Sequence, residues 1–131
     1  MKFFVDNCLA LKHARALNAL VEPQHRVIHL RDRFAPDTPD QVWLLDLGKE
    51  GGWIVISGDH RIGRSAHERA AWRQSKLTIF FLAKRWENLP LMEQHAKLSH
   101  CLPEIIRQAE KATAGSGFMV SVNGKVEQIF P

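Results

Sequence analysis

Two runs in this chain, Trp53–Ser57 (WIVIS) and Leu77–Leu82 (LTIFFL), are apolar in both phases of the strand alternation. Strands of that kind have no face to give to water, so they must lie inside a sheet covered on both sides. That demand excludes an all-helical bundle and a sheet with one wet face. The segments around them read as helices. Leu9, His13, Leu17, Leu20 and Val21 recur at helical spacing, with Asp6-Asn7 ahead of them as candidate N-caps and Pro23 behind. Thr38-Pro39-Asp40-Gln41 reads as a capping box opening a helix whose buried face includes Val42, Leu45 and Leu47, ended by Gly51-Gly52. Ser65-Ala66-His67-Glu68 reads as a second capping box, for a helix to about Gln74, and a helical stretch from Trp86 to Thr113 is expected to break near Pro103. Lys2–Val5 and Val27–Leu30 are shorter strand-like runs, and Asn123-Gly124 joins Phe118–Val122 to Lys125–Phe130 as a β-hairpin.

Strands alternating with helices predict an α/β fold, a three-layer α/β/α sandwich with a central parallel sheet and a C-terminal β-hairpin. With 131 residues there is room for one domain, and 45% hydrophobic with 24% charged residues excludes a disordered or fibrous chain. Cys8 and Cys101 form no CxxC pair and read as buried small side chains in a reducing compartment. Met1–Val5 meets Asp6 too early for a signal core, and Leu77–Ala83 is too short to span a bilayer, so a cytoplasmic protein without a membrane partner is expected.

In open parallel sheets the ligand site lies beyond the carboxyl ends of the strands. Asp6 ends the first strand, Asp59 follows WIVIS after Gly58, and Asp40 lies in the first turn of a helix entered from the same edge. Each has an ordinary reading alone: Asp6 as a cap, Asp40 as a dipole partner, Asp59 as a turn residue. Together they crowd. Adjacent strands lie about 4.8 Å apart, and two carboxylates about 4 Å apart repel by roughly 4 kcal/mol at an effective dielectric near 20. Such a group must hold a proton or a cation, and an all-oxygen donor set selects Mg²⁺ or Mn²⁺.

The segments FFVDN, VIHLRD, TPDQVW and WIVISGD resemble the PIN-like domain family, in particular its VapC-type toxin ribonuclease branch, over about Lys2 to Leu82. The resemblance implies an α/β/α sandwich with an acidic pocket for Mg²⁺ or Mn²⁺, hydrolysis of RNA phosphodiesters, and a cognate antitoxin of a type II toxin–antitoxin pair. Matched by motif, Asp6, Asp40 and Asp59 are its metal and catalytic acids, with Asn7 or Asp32 as further oxygen donors. Related domains often carry another acid two residues beyond the strand-end aspartate; here that place holds Arg61.

The net charge of +4 suits a polyanionic substrate. The stretch Arg61–Arg85 carries seven basic residues against one acid, Glu68, and Arg61, Arg64, Arg69 and Arg73 are its candidate RNA-binding residues. Glu68 itself is accounted for by its capping box. The seven histidines make no zinc-ligand spacing, and the four tryptophans read as packing residues. Two other classes stay open. A receiver-like phosphoacceptor domain would use Asp6, Asp59 and Lys84, although Asn7 stands where such domains pair a second acid. A non-catalytic PIN-like binding module is the reading that the Arg61 departure keeps open. The exposed edge of the terminal hairpin offers a way to form a homodimer.

Overall fold

The computed structural model of the chain covers residues 1–131. Its strands are β1 (Lys2–Val5), β2 (Arg26–His29), β3 (Trp53–Ser57), β4 (Thr78–Leu82), β5 (Gly117–Val120) and β6 (Val126–Phe130). They form one sheet in the order β2-β1-β3-β4-β5-β6, parallel except for the antiparallel β5–β6 pair. The helices are α1 (Leu11–Val21), α2 (Asp40–Glu50), a single turn α3 (Arg61–Arg64), α4 (Ala66–Ser75) and α5 (Leu91–Lys111).

The doubly apolar strands do what their sequence demands. Phe3, Val5, Ile56, Phe80, Leu82, Phe118 and Val120 face one side and pack with Ala14 and Leu17 of α1 and Leu98, Leu102 and Ile105 of α5. Phe4, Trp53, Val55, Ile79 and Phe81 face the other and pack with Trp43, Leu44 and Leu47 of α2 and Ala71 and Trp72 of α4. The result is the expected three-layer α/β/α sandwich with a terminal hairpin. All four tryptophans are buried in it. No helix is long and apolar enough to cross a membrane.

Several local expectations are corrected. Neither Asp6 nor Asn7 caps α1, whose N-cap is Ala10 without a side-chain bond. Thr38 donates instead to the Ala35 carbonyl at 2.7 Å, and α2 starts from Pro39 without a capping box. Ser65 is the N-cap of α4 but makes no side-chain cap bond, so Glu68 is not part of a capping box. The buried face of α2 is Trp43, Leu44 and Leu47, with Val42 exposed, because Trp43, its ring centred 5.0 Å from that of Phe4, sets the helix rotation. Pro103 lies inside α5 without breaking it: Leu98, Cys101 and Leu102 before it and Ile105 after it pack on the same sheet face, and tertiary burial outweighs the one lost backbone bond. Cys101 is buried, but Cys8 lies exposed in the loop after β1, beside Gly58 at the strand ends.

Two glycines allow close approaches that place the site. A Cβ on Gly48 would sit 2.7 Å from the Cα of Ser75, so α2 and α4 touch backbone to backbone there. A Cβ on Gly58 would sit 2.8 Å from the Cβ of Cys8, so Gly58 lets the loops after β1 and β3 lie against each other.

Candidate functional site

Because β1 and β3 are neighbours in register Val5–Ile56, the chain leaves both strands at the same edge, with Asp6 beside Ser57. Ser57 Oγ donates to Asp6 Oδ2 and accepts the Asp59 backbone N–H at 2.9 Å. The Cys8 backbone N–H donates to Asp6 Oδ1 at 3.0 Å. Asp6 is thereby fixed and only 4% exposed. Burial pushes its carboxyl above the usual range, the Cys8 and Ser57 hydrogen bonds pull it back, and the Asp59 charge adds to the rise.

Asp59 and Asp40 line the same cleft, and each shifts the titration of the other. Arg61 decides which of them holds a proton. Its Nε donates to Asp59 Oδ1 at 3.0 Å, its Nη2 to Oδ2 at 2.7 Å, and its backbone N–H to Oδ1 at 3.0 Å. That grip holds Asp59 well below the normal carboxylate range. Asp40 accepts one bond from the Trp43 indole N–H, at 3.1 Å. Burial first, then contact with Asp59, then the Asp59 and Asp6 charges, push Asp40 up to about 7. Near neutral pH Asp40 is the member of the pair that carries a proton part of the time, while Asp59 stays ionised.

These residues line one open cleft of about 580 Å³, with Asn7, Asp37, Arg61, Glu68 and Glu87 among its other walls. Asn7 Nδ2 donates to the Pro36 carbonyl at 2.8 Å, tying the β1 loop to the loop before α2. Glu68 reaches the cleft from α4, and its Oε2 is buried with no hydrogen-bond partner. As the side chains stand, no three ligating groups close around one point. Arg61 holds Asp59, while Ser57 and the Cys8 N–H hold Asp6.

Of the residues singled out in the sequence, Asp6, Asp40, Asp59, Asn7 and Arg61 are brought together here. Asp32 is not. It lies outside the cleft in the turn after β2, where Arg15 binds both its oxygens and the His29 N–H donates to Oδ2 at 2.8 Å. The Arg15 bond is the main cause that lowers Asp32 to about 2. Arg64, Arg69 and Arg73 gather instead around Phe130 of β6, Arg69 lying 5.4 Å above its ring. Lys84 does not line the cleft, which removes the cation that a receiver-like reading needs. Sequence reasoning missed Ser57, Glu68 and Glu87. The helical position of Glu68, nine residues past Asp59, was the available signal, and the assumed capping box concealed it.

A family model described as a PIN like domain matches residues 1–84. No curated protein and no solved structure matches the chain. The matched segment runs from β1 through β4 and contains Asp6, Asp40, Asp59, Arg61 and Glu68.

Proposed function

The chain belongs to the PIN-like domain family, and from that premise we propose that it is a metal-dependent ribonuclease whose active site is the acidic cleft. The observation that supports this most is six acids, Asp6, Asp37, Asp40, Asp59, Glu68 and Glu87, lining one cleft at the carboxyl end of the sheet. The carboxylate donors suit a hard divalent cation: burial and crowding raise Asp40 for want of a counterion, Glu68 Oε2 is buried without a partner, and Cys8 is the one sulfur beside them. Asp6, Asp40 and Asp59 would hold Mg²⁺ or Mn²⁺, with Glu68 as a further oxygen donor. When bound, such an ion lowers the pKa of a coordinated water and neutralises charge on a phosphate. Ser57 keeps the Asp6 carboxylate aimed into the cleft. Arg61, with its side chain 73% exposed, can exchange Asp59 for an RNA phosphate, while Arg64, Arg69 and Arg73 extend the positive surface beyond it.

The finer reading is the toxin of a type II toxin–antitoxin pair, which rests on the sequence resemblance alone. Its antitoxin would cover the cleft, where blocking metal or phosphate access is the simplest inhibition.

The test is cleavage of a panel of cellular RNAs by purified protein with Mg²⁺ or Mn²⁺ and then with chelator, paired with expression in a bacterium. Metal-dependent cutting and growth arrest are expected. Intact RNA throughout, or cutting that persists in chelator, would remove the proposal.

Arg61 also sets a prediction for the empty protein. Arg61→Gln removes the guanidinium from both Asp59 oxygens and leaves only the backbone N–H on Oδ1, so the Mn²⁺ affinity read by electron paramagnetic resonance of the free ion should rise several-fold. Binding of short RNA in the same protein should weaken. Unchanged Mn²⁺ affinity would mean that the guanidinium does not compete with the cation.

A further inference from the structure

The chain has two fully buried histidines, and they are treated differently. His29 is satisfied at both nitrogens, Nε2 against the Leu9 carbonyl at 2.8 Å and Nδ1 accepting the Arg31 N–H at 3.0 Å. His13, on α1, is 2% exposed and has no partner at either nitrogen. Beside it, Nδ1 of His95 on α5 is also buried and unpartnered. The two rings meet edge to face with centroids 4.6 Å apart. Three orphaned nitrogens in one place need an explanation, since buried polar atoms are nearly always paired.

His13 and His95 border an open groove of about 300 Å³, whose other walls are Lys12, Ala16, Leu91 and Met92. None of those other side chains offers an oxygen to pair with the imidazoles. It does have two imidazoles and the thioether of Met92, 86% exposed and three residues before His95. Burial and the neighbouring His95 lower His13 to about 4, so its ring is neutral at physiological pH with a free lone pair.

We propose that His13 and His95 form a second cation site, for a late first-row transition ion such as Zn²⁺, between α1 and α5. An ion about 2.1 Å from one nitrogen of each ring places the centroids roughly 5 Å apart, close to the observed spacing. Nitrogen and thioether donors favour late transition ions, whereas the carboxylate-rich cleft favours Mg²⁺ or Mn²⁺, so the two sites differ in chemistry as well as in place. None of these residues lines the acidic cleft. No third histidine, cysteine or carboxylate joins the pair, so water completes the coordination. The site would tie the start of α1 to the second turn of α5.

The experiment is calorimetric titration of the full chain with Zn²⁺ in a large excess of Mg²⁺, which competes at the carboxylates, with thermal unfolding in parallel. Wild type is expected to take up one Zn²⁺ per chain and to unfold at a higher temperature with it. His95→Ala should weaken that uptake about tenfold or more and erase the thermal shift. His95 is the deciding position because it is partly exposed, whereas His13→Ala also opens a hole in the core. Equal Zn²⁺ uptake by wild type and His95→Ala, or no uptake by wild type, would overturn the proposal.

Discussion

Asp59→Asn should leave the protein folded and reduce metal-dependent RNA cleavage by about a thousandfold. The fold survives because asparagine keeps the Oδ1 that accepts the Arg61 backbone N–H, so the turn after β3 is retained. Its backbone N–H still donates to Ser57 Oγ. What disappears is the charge. Of Asp6, Asp40 and Asp59, only Asp59 is held ionised, by Arg61, whereas Asp6 and Asp40 are both pushed toward the protonated form. Removing it takes away the carboxylate most ready to meet a cation, and losing several kcal/mol of charge stabilisation in the transition state corresponds to about 10³ in rate. The measurement is single-turnover cleavage with saturating Mn²⁺, with circular dichroism to verify folding. A variant that folds and cuts RNA at the wild-type rate would move the chemistry away from this cleft. A metal-binding module without catalysis would show a different pattern: Mn²⁺ binding lost in the variant, and no cleavage in either protein.

The fold was legible because the strands declare themselves. WIVIS and LTIFFL carry no polar face, and the strand bounds at Lys2–Val5 and Trp53–Ser57 follow directly from that run of apolar residues. Asp6 and Asp59 were legible for a related reason: a carboxylate at a strand end projects beyond the sheet edge whatever the helices do. The helix starts were less readable. Thr38 and Ser65 have the right chemistry for caps, yet Thr38 finds the Ala35 carbonyl and Ser65 makes no cap bond. Cap bonds depend on the angle at which a loop enters, which is set by tertiary packing and leaves no mark in a four-residue pattern. Glu68 was hidden for that reason, and Asp32 appeared eligible because its partner Arg15 lies 17 residues away. The His13–His95 pair is beyond any spacing rule. It exists only because α1 and α5 cover the same face of the sheet.

Relative to Asp40→Asn, the metal-free wild-type protein should lose stability as pH rises from about 4 to about 7. The unfolded carboxyl ionises near 3.8 and the folded one near 7. Below both values it is protonated in both states and the two proteins differ by a constant. Between them only the unfolded chain releases the proton, so folding becomes less favourable with rising pH; above about 7 the difference levels off. The gap of about three pKa units corresponds to roughly 4 kcal/mol at full strength, and solvent screening of this half-buried group reduces it to about 2 kcal/mol. The comparison must be made as a difference between proteins. His13, lowered from 6.5 to about 4, acts in the opposite sense over nearly the same range, favouring the folded state as pH rises. It contributes equally to both proteins and cancels. Urea unfolding midpoints at a series of pH values would therefore show Asp40→Asn gaining on wild type up to about pH 7. Saturating Mn²⁺ should erase that gain by supplying the counterion that the proton replaces. A pH-independent difference would mean that Asp40 is not crowded by Asp59 and Asp6, and the electrostatic case for a cation in the cleft would lose its main support.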